Sequence, residues 1–520
     1  MANLDRRGFL VTTSAAVALQ FQAPSHAGAE ERLQSVISRA VWMERSELPS
    51  EENAFTQWEA AIRATQSLND LQLQSIERLP AERSMRESNQ LSQDFSIAMD
   101  TTGPFPDGPA GDLVRSWHRS SAAAYSLFED GLRRGRYQIP AEHLGGFLTD
   151  GSADPSRRPV ELGRWQTVAF NLACQNQDWA AADRAILNLL TIAKLVLNSD
   201  GYAIHRLFHS NPLYRAVDAI LSRLRAAPMT MDSRQAIANA LTDCESAVQS
   251  WPNTLRMEVC HHTAPQLAKL PSTDNLKLFI DGLLQQSFRF RSGIEKAVAE
   301  NQAARRVRDG MLQLFADHPR PFDLDETIRA ISDVAAAMIA DRHTLWLKRR
   351  TGFADAWQQE LEPWPQALRF RGNDRIINEM FFGPDKSEPA ISVEEISKAR
   401  TALLNVSNPI GKLIAVHDMD DTVRQVSEIG MFNINAARCG LAIRQYRDRH
   451  QQAPETLSEA VDGEYLREVP IDPFSGKPLQ YDRGRGIVWS FGTNEQDDGG
   501  NQGANANGFA GDDFVWPMPV

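Results

Sequence analysis

Between about Glu30 and Arg449 the apolar residues return every three to four positions, and no stretch alternates long enough to build a parallel sheet. That period commits most of the chain to α-helix, because side chains three and four apart share a helix face. Leu113, Trp117, Ala124 and Phe128 form one such stripe, and Leu162, Trp165, Val168 and Leu172 a second. Ile186, Leu189, Leu190, Ala193 and Leu197 form a third. Clusters of Ser, Asp, Pro and Gly at Thr101–Gly111, Asp150–Pro159 and Phe382–Pro389 punctuate the helices. No repeat of fixed period is evident, which leaves irregular stacking of helical pairs open. The expectation is a mainly α protein. A large irregular helical body spans 30–430, and a small α+β module spans 431–520.

Composition narrows the function classes. The apolar fraction of 42% supports a packed core and excludes wholesale disorder. Mean hydropathy is −0.39, and past residue 30 no apolar run is long enough to span a bilayer. Acidic residues outnumber basic ones 67 to 55, for a net charge of −12. That balance argues against a dedicated nucleic-acid binder, which needs clustered Lys and Arg for phosphates. Cys174, Cys244, Cys260 and Cys439 are too few for a disulfide scaffold. All four lie in helical stretches, where they read as small core residues, though three pairings remain open.

The first residues carry an address. Arg6-Arg7-Gly8-Phe9-Leu10 precedes a short, mildly apolar stretch to Phe21, and Ala27-Gly28-Ala29 has small-x-small character. The segment resembles a bacterial twin-arginine signal peptide, residues 1–29, with cleavage before Glu30. The resemblance implies export of an already folded chain to the periplasm or beyond, with no transmembrane span once the signal is removed. Arg7-Gly8-Phe9 also looks like a prepilin-peptidase site, but Thr13 stands where that site wants Glu, and the apolar run ends near Gln22.

Candidate chemistry in the body is sparse. His205 and His209 are four apart and would share a helix face, but the Glu of H-E-x-x-H is missing. Glu258, His261 and His262 form a second cluster, with its adjacent histidines diverging on a helix. Asp418-x-Asp420-x-Thr422 resembles the first motif of haloacid-dehalogenase-type phosphatases, which implies an aspartyl nucleophile, an acid–base Asp and magnesium. Only 98 residues follow Thr422, with the single lysine Lys477. They do not alternate strand and helix as that family requires. The other reading of Asp418, Asp420 and Asp421 is a solvated, helix-capping turn after Asn408-Pro409.

The character changes in the tail. Phe432, Ala436, Cys439, Ile443 and Tyr446 make a helical stripe that ends at Arg447–His450. A turn-rich segment, Val469–Pro478, leads to strands at Leu479–Tyr481 and Ile487–Phe491, with Phe514–Trp516 as a third. A lone hairpin is marginal, so this one must pack on the Phe432–Tyr446 stripe. Tyr446-Arg447, Pro454–Leu457, Asp472-Pro473 with Gly476 and Pro478, Tyr481, Ser490-Phe491-Gly492, Gly499-Gly500, and Asp513-Phe514 with Trp516 follow in order. The tail thus resembles the globular part of the major (G-type) pseudopilin of type II secretion systems. It differs in following a long helical body rather than a membrane helix.

The loop 492–513 holds Glu495, Asp497, Asp498, Asp512 and Asp513 with no Lys or Arg, alongside Asn494, Asn501, Asn505 and Asn507. Crowded oxygens on a Gly-rich loop suit calcium, which takes six to eight oxygen ligands in a flexible cage. The resemblance places Asn494 and Asp513 as its side-chain ligands, with Asn where the family has Asp. The candidate set is Asn494, Asp497, Asp498, Asp512 and Asp513. A solvated acidic loop is the alternative. The functional expectation is an exported, non-catalytic protein whose helical body contacts a protein partner in the cell envelope. An exported hydrolase, through Asp418 and Asp420 or the histidines, is the other reading.

Overall fold

The computed structural model describes residues 27–77, 85–140, 158–201, 206, 210–267, 318–320, 322–342, 393–409, 411–412, 422–461, 463–492, 496–501 and 513–519, with a few single positions between 309 and 317. The protein is mainly α, with one small antiparallel sheet among the described residues. The helices begin with α1 (Ala27–Val36), α2 (Ala54–Arg63), α3 (Leu68–Glu77), α4 (Met85–Asp100), α5 (Pro109–Ser120) and α6 (Ala122–Arg134). They continue with α7 (Arg158–Gln175), α8 (Trp179–Leu197), α9 (Asn211–Ala226), α10 (Met231–Val248), α11 (Trp251–Met257), α12 (Ala264–Leu267), α13 (Leu324–Ala340), α14 (Val393–Leu403) and α15 (Thr422–His450). Among the described residues no helix is long and apolar enough to cross a membrane.

The chain divides into two compact units, one of residues 1–45, 252–425 and 504–510, the other of 46–251, 426–503 and 511–520. One of the divisions falls between Gln425 and Val426. Beyond it, the tail shares a unit with the helices of 46–251.

In that second unit local sequence sets the helix starts. Asn53 accepts from Phe55 N at 3.1 Å, Asp178 from Ala181 N at 3.0 Å, and Thr230 from Ser233 N at 3.2 Å. Each satisfies an amide that the helix itself leaves open, worth about 1 kcal/mol. The stripe through Leu113 and Phe128 is not one helix. Ser121 breaks it, its hydroxyl donating to Trp117 O at 2.8 Å, and α5 and α6 flank the break. The buried residues Val114 and Trp117 lie before it, Ala124 and Phe128 after it. Trp58 lies flat on α6 because Gly131 has no side chain. A Cβ there would come within 2.4 Å of the indole.

One apolar core runs through α7, α8, α9 and α10 and on into the tail. It holds Ile186, Leu189, Leu190, Ala193 and Leu197 together with Phe432, Ala436, Cys439, Ile443, Val488 and Trp516. The charges around it are partnered. Asp100 accepts from Arg164 and Arg215, each at 2.8 Å, and Arg223 donates to Asp183 at 2.9 Å while stacking over Trp179 at 4.6 Å. Arg206, 3% exposed, donates to Leu197 O and Ala247 O, each at 3.2 Å, and also to Val248 O. Those carbonyls close the last turns of α8 and α10, where a helix cannot satisfy its own acceptors. A further bond to Ser427 Oγ at 3.3 Å ties in α15.

The first unit contains α13, whose N-cap Asp323 accepts from Glu326 N at 2.7 Å. Asn408, at φ 51°, accepts from Asp323 N at 2.9 Å and donates to Thr327 Oγ1 at 2.9 Å. Asn408 thus braces the start of α13.

Candidate functional site

The tail is built on α15. Its three strands, β1 (Gln480–Asp482), β2 (Ile487–Ser490) and β3 (Phe514–Pro517), pair antiparallel in sequence order. β2 pairs Ser490 with Phe514 and Val488 with Trp516. Phe514 lies 6.2 Å from Phe432 and 5.6 Å from Phe474 between ring centroids. Trp516 Nε1 donates to Asn433 Oδ1 at 2.8 Å. The sheet therefore sits on the α15 stripe, as a marginal hairpin must.

Asp472 organises the turn before β1. It is 1% exposed and accepts five hydrogen bonds. Oδ1 takes Phe474 N at 3.2 Å and Ser490 Oγ at 2.5 Å. Oδ2 takes Ser475 N at 3.2 Å, Ser475 Oγ at 2.5 Å and Phe491 N at 3.2 Å. Gly476, at φ 67°, turns the chain so that its amide reaches Asp472 O at 2.9 Å. One carboxylate thereby joins the turn to the end of β2 and to the root of the acidic loop.

Within that loop, Asn494 and Asp512 lie outside the described residues. Asp497 is exposed, and its Oδ1 accepts from Trp489 Nε1 at 3.0 Å and Gly499 N at 2.9 Å. The Asp498 carbonyl accepts from Asn501 Nδ2 at 2.7 Å. Asp513 is 2% exposed; its Oδ2 accepts from Gly500 N at 2.6 Å, and its Oδ1 makes no hydrogen bond. Burial, reinforced by the negative charges of Asp498 and Asp497 and opposed by the backbone amides of Gly500 and Asp498, pushes the Asp513 carboxyl up to about 6. An open, buried carboxylate oxygen at a loop root is what a cation could use. Among the described residues no three His, Cys, Asp or Glu side chains converge on one point. Further ligands would have to come from loop carbonyls or from positions such as Asn494 and Asp512.

His205, His209, Asp418, Asp420 and Asp421 lie outside the described residues. Glu258 and His261 lie on a π-helical stretch, Glu258–Thr263, in the first unit. His261 Nε2 faces Met43 O at 2.9 Å, and since a carbonyl only accepts, that nitrogen carries the proton. Cys260 donates to Val41 O at 3.5 Å, and burial pushes its thiol up, away from the thiolate a nucleophile needs. All four cysteines are free thiols, and burial pushes Cys244 and Cys439 up to about 12.

The sequence marked Asp472 only as part of an Asp-Pro turn and did not single out Arg206. The Asp-Pro pair and Gly476 signalled a tight turn, but the donors from Ser490 and Phe491 arrive from a strand 18 and 19 residues on. No protein-family model matches the chain, and no curated protein and no solved structure matches it.

Proposed function

We propose that this chain is an exported, non-catalytic protein whose helical body contacts a protein partner in the cell envelope and whose tail binds calcium beside Asp513. The address rests on Arg6-Arg7 with Phe9-Leu10 and on Ala27-Gly28-Ala29. Replacing both arginines with lysine is expected to leave the protein in the cytoplasm with its leader attached. Unchanged processing and export by the double-lysine variant would refute the route.

The observation that carries the metal reading is the open, buried Oδ1 of Asp513. A cation bound only by the folded state adds about 2.7 kcal/mol at a hundredfold excess over its dissociation constant. For a unit of this size that raises the melting midpoint of the full-length protein by about 4–5 °C. Magnesium does less, because it demands a tight octahedral cage and keeps its waters. With its pKa raised to about 6, Asp513 holds a proton in the folded state where an unfolded Asp would have lost it. A cation must displace that proton, so the calcium shift shrinks as pH falls below 6. Asp513→Asn removes the shift. Identical melting curves in calcium and in chelator, at pH 7.5, would end the metal reading.

A further inference from the structure

We propose that Arg485 is a built-in cation for the acidic loop, a latch that holds the 497–501 turn closed against β2. Loop 492–513 contains no Lys or Arg of its own. Arg485 stands in the short turn between β1 and β2, and its two terminal nitrogens donate to the carbonyls of Gly499 and Gly500. Both glycines hold left-handed backbone, φ 71° and 67°, a conformation other residues adopt only with strain. Gly500 also lies flat on the sheet. A Cβ there would meet Ile487 Cδ1 at 2.8 Å and the Trp489 ring at 3.1 Å.

The latch is linked to Asp513 through one residue. The Gly500 carbonyl is held by Arg485, while the Gly500 amide donates to Asp513 Oδ2. Trp489 adds a second tie from the same strand through Asp497. A planar guanidinium suits this place, because its fork bridges two adjacent carbonyls, which an ammonium on a flexible stem does less well. It supplies the positive charge that a carbonyl-rich, acidic turn otherwise takes from a metal. It leaves Asp513 Oδ1 without a hydrogen bond.

The latch keeps the 497–501 turn on β2 when no divalent cation is present. The consequence for calcium rests on the metal reading above; the latch itself does not. With Arg485 in place, a cation acts on a 497–501 turn already held, with the Gly499 and Gly500 carbonyls already engaged. Without Arg485, order in that turn depends on the cation.

The test uses the full-length protein and a protease of broad specificity, with cleavage sites mapped by mass spectrometry. Cleavage of a transiently opened segment tracks the population of its open form. In chelator, Arg485→Gln is expected to raise cleavage within 496–501 by about tenfold, the loss of one charge-assisted contact pair, with Arg485→Lys between the two. Arg483→Gln, in the same turn but paired with Glu455, leaves loop cleavage unchanged and controls for damage to the turn. Cleavage elsewhere should stay at the wild-type rate, which separates an open loop from a failed fold. Equal loop cleavage in wild type and Arg485→Gln in chelator overturns the latch, whatever calcium does. If calcium restores protection to Arg485→Gln, latch and metal reading both hold. If calcium protects neither protein while the tenfold difference persists, the latch holds and the metal reading falls.

Discussion

Asp472→Ala is expected to cost about 3–5 kcal/mol, a loss large enough to disorder the tail at moderate temperature. The change strands amides at Phe474, Ser475 and Phe491 and hydroxyls at Ser475 and Ser490, all facing one buried carboxylate. Each donor left without an acceptor costs about 1–3 kcal/mol, and neighbours that share a partner do not add in full. Asp472→Asn is the sharper experiment. Its shape is nearly unchanged, but all five neighbours donate, so the new amide nitrogen must face at least one donor. Asparagine should therefore lose most of what alanine loses. Urea unfolding of the full-length variants checks both. An asparagine variant as stable as wild type would show that the carboxylate's charge and double acceptor role do not matter.

The second large effect is at Arg206. Arg206→Met keeps the length and apolar stem but withdraws the guanidinium from the carbonyls of Leu197, Ala247 and Val248, the first two of which still accept from Ser250. The expected loss is about 1–3 kcal/mol, with lysine recovering part of it through its ammonium. Burial holds the Arg206 guanidinium down to about 9. It is charged at neutral pH, and the energy of burying that charge is constant below about pH 9. Only above that value does the native state shed the proton more readily than the unfolded chain, which relieves the penalty as pH rises. The stability gap between wild type and the methionine variant should therefore be flat from pH 6 to 8. A steep slope in that window would point to another group.

The helical body was legible because its signal is periodic and local. Ile186, Leu189, Leu190, Ala193 and Leu197 recur on one face, and all five are buried. The three tail strands were legible for a related reason, since turn residues bound short β-branched and aromatic runs. Ser121 was not legible. Its hydroxyl bonds Trp117 O and the Thr65 hydroxyl, a tertiary contact that ends a helix whose apolar spacing continues unbroken. Arg206 was hidden differently. It sits between two histidines that draw attention as metal ligands, and its partners are backbone carbonyls, which every residue carries. In the candidate site, Asp513 stood out by its company of acidic residues. Its open oxygen and the engagement of Gly499 and Gly500 by Arg485 depend on three-dimensional placement and leave no trace in spacing.

The shared core has a consequence for how the protein is made. Helices α7 to α10 bury their apolar faces partly against Phe432, Ile443, Val488, Trp516 and Met518. Between Val248 and Met518 the ribosome must add 270 residues (518 − 248). At about 5–20 residues per second, that leaves those helices without their final cover for roughly 15–50 s. During that interval Leu213, Val217, Ile220, Leu221 and Leu224 on α9 present an incomplete apolar surface. Apolar collapse is far faster than this wait, so the helices collapse before Trp516 and Met518 exist, and the order of the chain delays the completed core until the last strand is synthesised.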